Sequence, residues 1–167
     1  FILFFYINNL SEKIYLKIFF IFFLIICLGT PISEWDPRST WFFHAKRIFY
    51  DHSIFSVLDN YAPFSHNDYP TLAPALAASL AKLVGYWNEV FPKVSFTLMF
   101  LPPLLLVSNL YKETNALILL FITAFTVGRF LYNGWVDGLV AVYFGTSALL
   151  IYLLFLTDTQ IYKKKIY

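Results

Sequence analysis

The feature that most constrains this chain is a set of apolar runs about as long as a bilayer core is thick. Residues 138–156, GLVAVYFGTSALLIYLLFL, contain no charged side chain at all. A transmembrane helix needs about 20 predominantly apolar residues. Three further runs have nearly the same character: 15–31, YLKIFFIFFLIICLGTP; 94–110, VSFTLMFLPPLLLVSNL; and 116–132, ALILLFITAFTVGRFLY. The elements of a soluble domain interrupt their apolar positions every few residues, because one face meets water. Charged residues make up 13% of the chain, against about 25% in soluble domains. These runs predict an integral membrane protein with an all-α fold, since a helix satisfies its own backbone groups in hydrocarbon.

Gly29 and Pro31 end the first run, and Pro102-Pro103 is expected to kink the second. The first run is too long and too aromatic for a signal peptide and lacks a small-residue cleavage site. A fifth apolar stretch, 71–87, TLAPALAASLAKLVGYW, is Ala-rich and carries Lys82 at its centre. Lysine placement decides whether it crosses, because lysines collect at the cytoplasmic ends of spans. Lys13 and Lys17 put the start of the first span inside. If 71–87 stays on the surface, Lys112 and the cluster Lys163, Lys164 and Lys165 also fall inside. If it crosses, that cluster falls outside. The sequence therefore predicts four transmembrane helices, with 71–87 as an interfacial helix on the external side.

The segment from 32 to 93 then becomes one external loop in a cell membrane, on the periplasmic or luminal side. Asp36-Pro37 reads as a helix N-cap followed by Pro at the first helical position. In STWFFHAKRIFYDH, Trp41, Phe42, Ala45, Ile48 and Phe49 share one helical face, and His44, Arg47 and Asp51 another. Such a helix is expected to lie flat at the interface. The loop should hold two juxtamembrane helices joined by SVLDNYAPFSHNDYP.

Other composition narrows little. The net charge of +2 gives no argument for a nucleic-acid partner. Cys27 is alone and forms no internal disulfide. The opening FILFFYI is too short to span, and the first residue is Phe rather than Met. Residues 1–167 are therefore expected to be a single N-terminal transmembrane module of a longer chain.

Charge near a membrane is costly, yet Glu34, Asp36, Arg38, His44, Lys46 and Arg47 crowd the start of the loop. His66, Asp68 and Tyr69 follow at its far end, and Asp137 closes the turn NGWVD on the same predicted side. Asp36 is open to two readings, a helix cap and a general base. Glu34 reads as a solvated carboxylate, a metal ligand or a partner of Asp36. His44 reads as a ring placed at the interface. His66 and Asp68 are turn residues before Pro70 or substrate contacts. Tyr69 and Trp35 anchor at headgroups or stack on a sugar. Lys46 and Arg47 meet lipid phosphates, Arg129 snorkels from its span, and Asp137 caps the last helix. His, Asp and Glu are also ligands for a divalent metal, but their spacing specifies no metal site.

The order of these motifs resembles the GT-C superfamily of membrane glycosyltransferases, which take sugar from a polyprenyl-phosphate carrier. In that family a first span leads into a long external loop that opens on two carboxylates, adjacent or one residue apart. Glu34-Trp35-Asp36 matches the second form. His66-Asn67-Asp68-Tyr69-Pro70 is similar to the turn before the family's second juxtamembrane helix, and Gly134-Trp135-Val136-Asp137 to a later acidic turn. The resemblance implies that the chain transfers a sugar from a lipid-linked donor to an acceptor on the external face. It implies Asp36 as the catalytic base. Glu34, Arg38, His44, Lys46, His66, Asp68, Tyr69, Arg129 and Asp137 would contact substrate, with Arg38, Lys46, Arg47 and Arg129 as candidates for the donor phosphate. The competing reading is a transporter, flippase-like or assembly membrane protein without covalent chemistry. Transporters place ionisable groups inside spans near the midplane, whereas here they concentrate in the loop.

Overall fold

The computed structural model describes residues 14–59, 61–110 and 113–165. Among these residues it contains helices and turns and no strand. The opening FILFFYI, Lys13 and Lys112 lie outside the described residues.

Helix α1 spans Ile14–Gly29. Its end is marked by Thr30, whose hydroxyl donates to the Ile26 carbonyl at 2.9 Å, and then by Pro31, which cannot continue the ladder. The Nζ of Lys93 donates to the Thr30 carbonyl and lies 3.2 Å from its hydroxyl. Lys93 is fully buried, so the end of α1 is fastened to the start of a helix far along the sequence.

The next turn departs from the capping geometry expected of Asp36-Pro37. Asp36 is itself helical, at φ −57° and ψ −48°, and its side chain makes no capping hydrogen bond. The Arg38 amide already bonds back to the Glu34 carbonyl at 3.3 Å. Over Pro37–Trp41 the chain widens into a π-helical turn, with the Phe42 amide bonding five residues back to the Pro37 carbonyl. Pro37 follows helical backbone and fills a position with no N–H to offer, so no side-chain cap is required.

Helix α2, Phe42–Asp51, ends at His52 in the left-handed conformation. Its main partner is α3, Leu72–Val84. Ala73, Ala77, Ala78 and Ala81 of α3 are all buried, and these small side chains allow close approach to Ala45 and Ile48. Gly85, at φ 90°, ends α3 by donating to the Ala81 and Lys82 carbonyls. Only a residue without Cβ takes that conformation freely. With 13 residues, α3 is about 20 Å long, short of a hydrocarbon core of about 30 Å.

The flat, two-faced surface helix expected for this segment needs correcting. Trp41, Phe42, Ala45 and Ile48 are buried in the protein. His44, on the supposed solvent side, is only 1% exposed. The connection between α2 and α3 folds back over His44 and Arg47, while Lys46, Tyr50 and Asp51 stay exposed.

A short turn, Phe91–Lys93, leads into α4, Val94–Met99, and α5, Leu101–Leu110. The break falls at Phe100, whose amide takes a tighter bond to the Thr97 carbonyl at 3.2 Å. Pro102 and Pro103 have no N–H for the carbonyls one turn before them, which puts the interruption just upstream of the prolines. Helix α6 spans Glu113–Tyr132 and α7 spans Asp137–Lys165. The 20-residue stretches Phe91–Leu110 and Asp137–Leu156 are each long and apolar enough to cross a membrane.

The core joins the loop helices to the apolar ones. Phe42 and Phe96 have ring centroids 5.1 Å apart, and Phe23, Phe100, Leu104 and Leu139 pack into the same cluster. Gly134, at φ 89°, forms the turn between α6 and α7, and a Cβ there would collide with the Phe42 ring.

Candidate functional site

The polar residues of the 32–93 segment fall into three groups. The first surrounds the Glu-x-Asp motif. Arg129, in the last turn of α6, forms an ion pair with Glu34 through Nη2 and Oε1. Asp36 lies two residues on, on helical backbone and half-buried. Among the described residues its carboxylate has no hydrogen-bonding or ionic partner. Trp35 between them is 70% exposed.

Arg38 follows one turn after Glu34. Together with Phe42, Phe43, Lys46 and Glu89 it lines a cleft of about 490 Å³. Lys46 is held by Glu89 at 3.1 Å, and the Trp87 indole donates to the same Glu89 oxygen at 3.2 Å. The Arg38 side chain has no such carboxylate among the described residues.

The second group is a clamp across the face of α2. Arg47 meets Asp59 through two parallel hydrogen bonds of 2.9 and 2.7 Å, lies 3.9 Å from Asp51 and stacks over the Tyr61 ring at 5.2 Å. The bidentate contact holds the Asp59 carboxyl below its usual range and raises the Arg47 guanidinium. Arg47 is therefore engaged by protein carboxylates, a role its sequence position did not suggest.

Beside it, His44 Nε2 lies 3.1 Å from Asn67 Oδ1. The Asn67 amide nitrogen donates to the Asp59 and Tyr61 carbonyls at 2.7 and 3.0 Å. With the nitrogen so placed, the amide oxygen must accept, and His44 donates from Nε2. Burial pushes His44 below the ordinary imidazole value; the Asn67 hydrogen bond opposes this, and the nearby Arg47 and His66 add to it. His44 is thus an interior fastener rather than a ring at an interface. Asn67 belongs to the 66–70 turn read from the sequence but is not singled out there, because an Asn in a turn carries no mark of a distant partner.

The third group is the turn before α3. His66 sits at φ 55°, and the Tyr69 amide closes on its carbonyl at 3.0 Å. The His66 and Tyr69 rings stack at 4.7 Å, with Trp41 at 5.4 Å from Tyr69. Asp68 is exposed. Tyr69 lines a groove of about 440 Å³ with Asp137, Trp41, Met99 and Tyr143. Tyr143 donates from its hydroxyl to the Met99 carbonyl at 2.8 Å. Asp137 occupies the first turn of α7, where the helix dipole favours a carboxylate. Neither Asp36 nor Asp68 lines this groove, so the convergence of Asp36, Asp68 and Asp137 on one external cavity, expected if the chain is an enzyme, is not found in this groove.

No group of three or more His, Cys, Asp or Glu side chains suited to a metal ion occurs among the described residues. Among the described residues, the geometry offers a carboxylate without a partner at Asp36, an adjacent Glu34–Arg129 pair, and Arg38 without a carboxylate of its own. Comparison with protein-family models, with curated proteins and with solved structures finds no match to this chain.

Proposed function

We propose that this chain is part of a membrane-embedded glycosyltransferase that moves a sugar from a polyprenyl-phosphate carrier to an acceptor on the external face. The observation that carries the reading is the state of Asp36. Its carboxylate has no hydrogen-bonding or ionic partner among the described residues, and it lies within one helical turn of both Arg38 and Glu34, the latter held by Arg129.

The chemistry asks for that arrangement. The acceptor hydroxyl oxygen forms a bond to the anomeric carbon as the bond from that carbon to the phosphate oxygen breaks. The hydroxyl proton passes to the Asp36 carboxylate, which has its lone pairs available. The carrier phosphate departs with the bonding electrons and needs positive charge, for which Arg38 is placed. Glu34, engaged by Arg129, positions the motif rather than taking the proton.

The membrane setting is part of the same proposal. Four spans are α1, α4 with α5, α6 and α7, and α3 lies along the external surface. The two stretches long and apolar enough to cross and the short length of α3 support this arrangement. So does the pairing of α2 with α3 as two helices between the first and second apolar segments.

The test is transfer of radiolabelled sugar by the full chain in native-like membranes, offered a panel of polyprenyl-phosphate sugars. Transfer from at least one donor is expected. A folded protein that neither binds nor uses any of them would overturn the reading in favour of a transporter or assembly protein.

A further inference from the structure

Helices α1 and α6 lie against each other, and between them runs a groove of about 770 Å³. Phe22 and Ile26 line one wall, and Phe121 and Phe125 the other, with Gly128 at the floor and Arg129 at one end. Its aromatic rims are turned outward: Phe22 and Phe121 are each 58% exposed, and Phe125 is 89% exposed. Gly128 is buried, yet a Cβ there would meet nothing within 4 Å. The floor therefore has room above it. Among the described residues, Arg129 is the only charged one that lines the groove.

The guanidinium at its end is not used up. Its pair with Glu34 engages Nη2 alone, and the side chain stays 64% exposed. The other N–H donors of the five-donor fork have no partner among the described residues. The groove thus combines a long apolar trough with unfilled planar donors at one end. Hydrocarbon chains suit the trough, and phosphate oxygens match the planar fork.

We propose that the α1–α6 groove seats an anionic membrane phospholipid, its acyl chains along Phe22, Phe121 and Phe125 and its phosphate on Arg129. The proposal rests on the membrane placement given above and is independent of sugar transfer. Arginine at the end of a span carries a favourable interaction with anionic headgroups. Here the same side chain holds the acidic motif through Glu34, so the bound headgroup sits beside the loop.

The experiment is native mass spectrometry of the full chain released from nanodiscs of equimolar phosphatidylglycerol and phosphatidylcholine, counting retained lipid. Wild type is expected to keep phosphatidylglycerol about fivefold over phosphatidylcholine, the ratio expected of one favourable arginine contact. Arg129→Gln should lose the preference, and Arg129→Lys, which keeps the charge but not the planar fork, should keep only part of it. Gly128→Leu, which fills the trough where space is open, should lower phosphatidylglycerol retention with Arg129 intact. Equal retention of both lipids by wild type, or an unchanged preference in Arg129→Gln, would overturn the proposal. Added decaprenyl phosphate displacing phosphatidylglycerol would also overturn it, by making the groove part of the donor site. The readout involves no transfer, so its failure and the failure of the glycosyltransferase reading are separate results.

Discussion

Arg129 and Glu34, 95 positions apart in sequence, form an ion pair that ties the last turn of α6 to the segment leaving α1. The pair carries the polar loop's acidic motif on a helix that otherwise belongs to the apolar layer. Because Arg129 is 64% exposed, its coupling to Glu34 should be small, within about 1 kcal/mol. A double-mutant cycle with Glu34→Gln and Arg129→Gln, read by thermal unfolding, checks this. Activity should fall further than stability does in either single variant, since the pair's proposed work is to position Asp36.

The clamp on α2 should respond to pH. Burial holds the His44 imidazole below its ordinary value of 6.5. The folded protein therefore favours the neutral ring. Its contribution is fully present above pH 6.5 and declines as the pH falls below that toward the lowered folded value. Unfolding followed across this window should show wild type losing stability on acidification, with a shallower slope in His44→Gln.

Asn67 holds three groups at once: His44 Nε2 and the carbonyls of Asp59 and Tyr61. Asn67→Ala leaves all three without that partner and should cost about 2 kcal/mol. Thermal unfolding would show it, and Asn67→Asp should not rescue, because a carboxylate has no donor for the two carbonyls.

Gly134 combines φ 89° with a Phe42 ring where a Cβ would stand. Gly134→Ala should destabilise by about 3 kcal/mol, from left-handed backbone cost and overpacking of a buried ring. Gly85 has the same backbone sign but open space around it. Gly85→Ala should therefore cost only the backbone part, about 1 kcal/mol. Equal losses at the two sites would argue against the Phe42 contact.

Much of this architecture was legible in the sequence because apolar periodicity and chain-breaking residues act locally. The end of α1 at Gly29 and the interruption beside Pro102-Pro103 follow from neighbouring residues, whereas the Ala-rich segment, read as running to residue 87, is closed earlier by Gly85. The side-chain partners were not legible, because they join distant segments. Nothing near Lys93 marks it as buried on Thr30, and nothing near His44 marks Asn67 as its partner. The Asp36-Pro37 dipeptide misled for a local reason. It fits a cap, but helical backbone already begins before it, and the chain passes through as a π-helical turn. The Glu-x-Asp motif itself was visible, whereas its anchoring to Arg129 required the packing of α6 against α1.

The membrane arrangement can be read by labelling. Cys27 is the only cysteine and is buried, so a Cys27→Ala background accepts single probes. With α3 outside the bilayer, Asp59→Cys should react with an impermeant maleimide in intact cells. Lys164→Cys should react only after permeabilisation. Both sites reacting from outside would show that the chain crosses an even number of times between Asp59 and Lys164, where four spans require three crossings, and would contradict that arrangement.

The central claim is that Asp36 takes the acceptor proton during sugar transfer. The direct measurement is single-turnover transfer by the full-length protein and its Asp36→Asn variant, at matched protein level and saturating donor. A positioned general base contributes about 10² to 10⁴ in rate, so the variant should be slowed at least about a hundredfold while donor binding is kept. Transfer by Asp36→Asn at the wild-type rate would contradict the account.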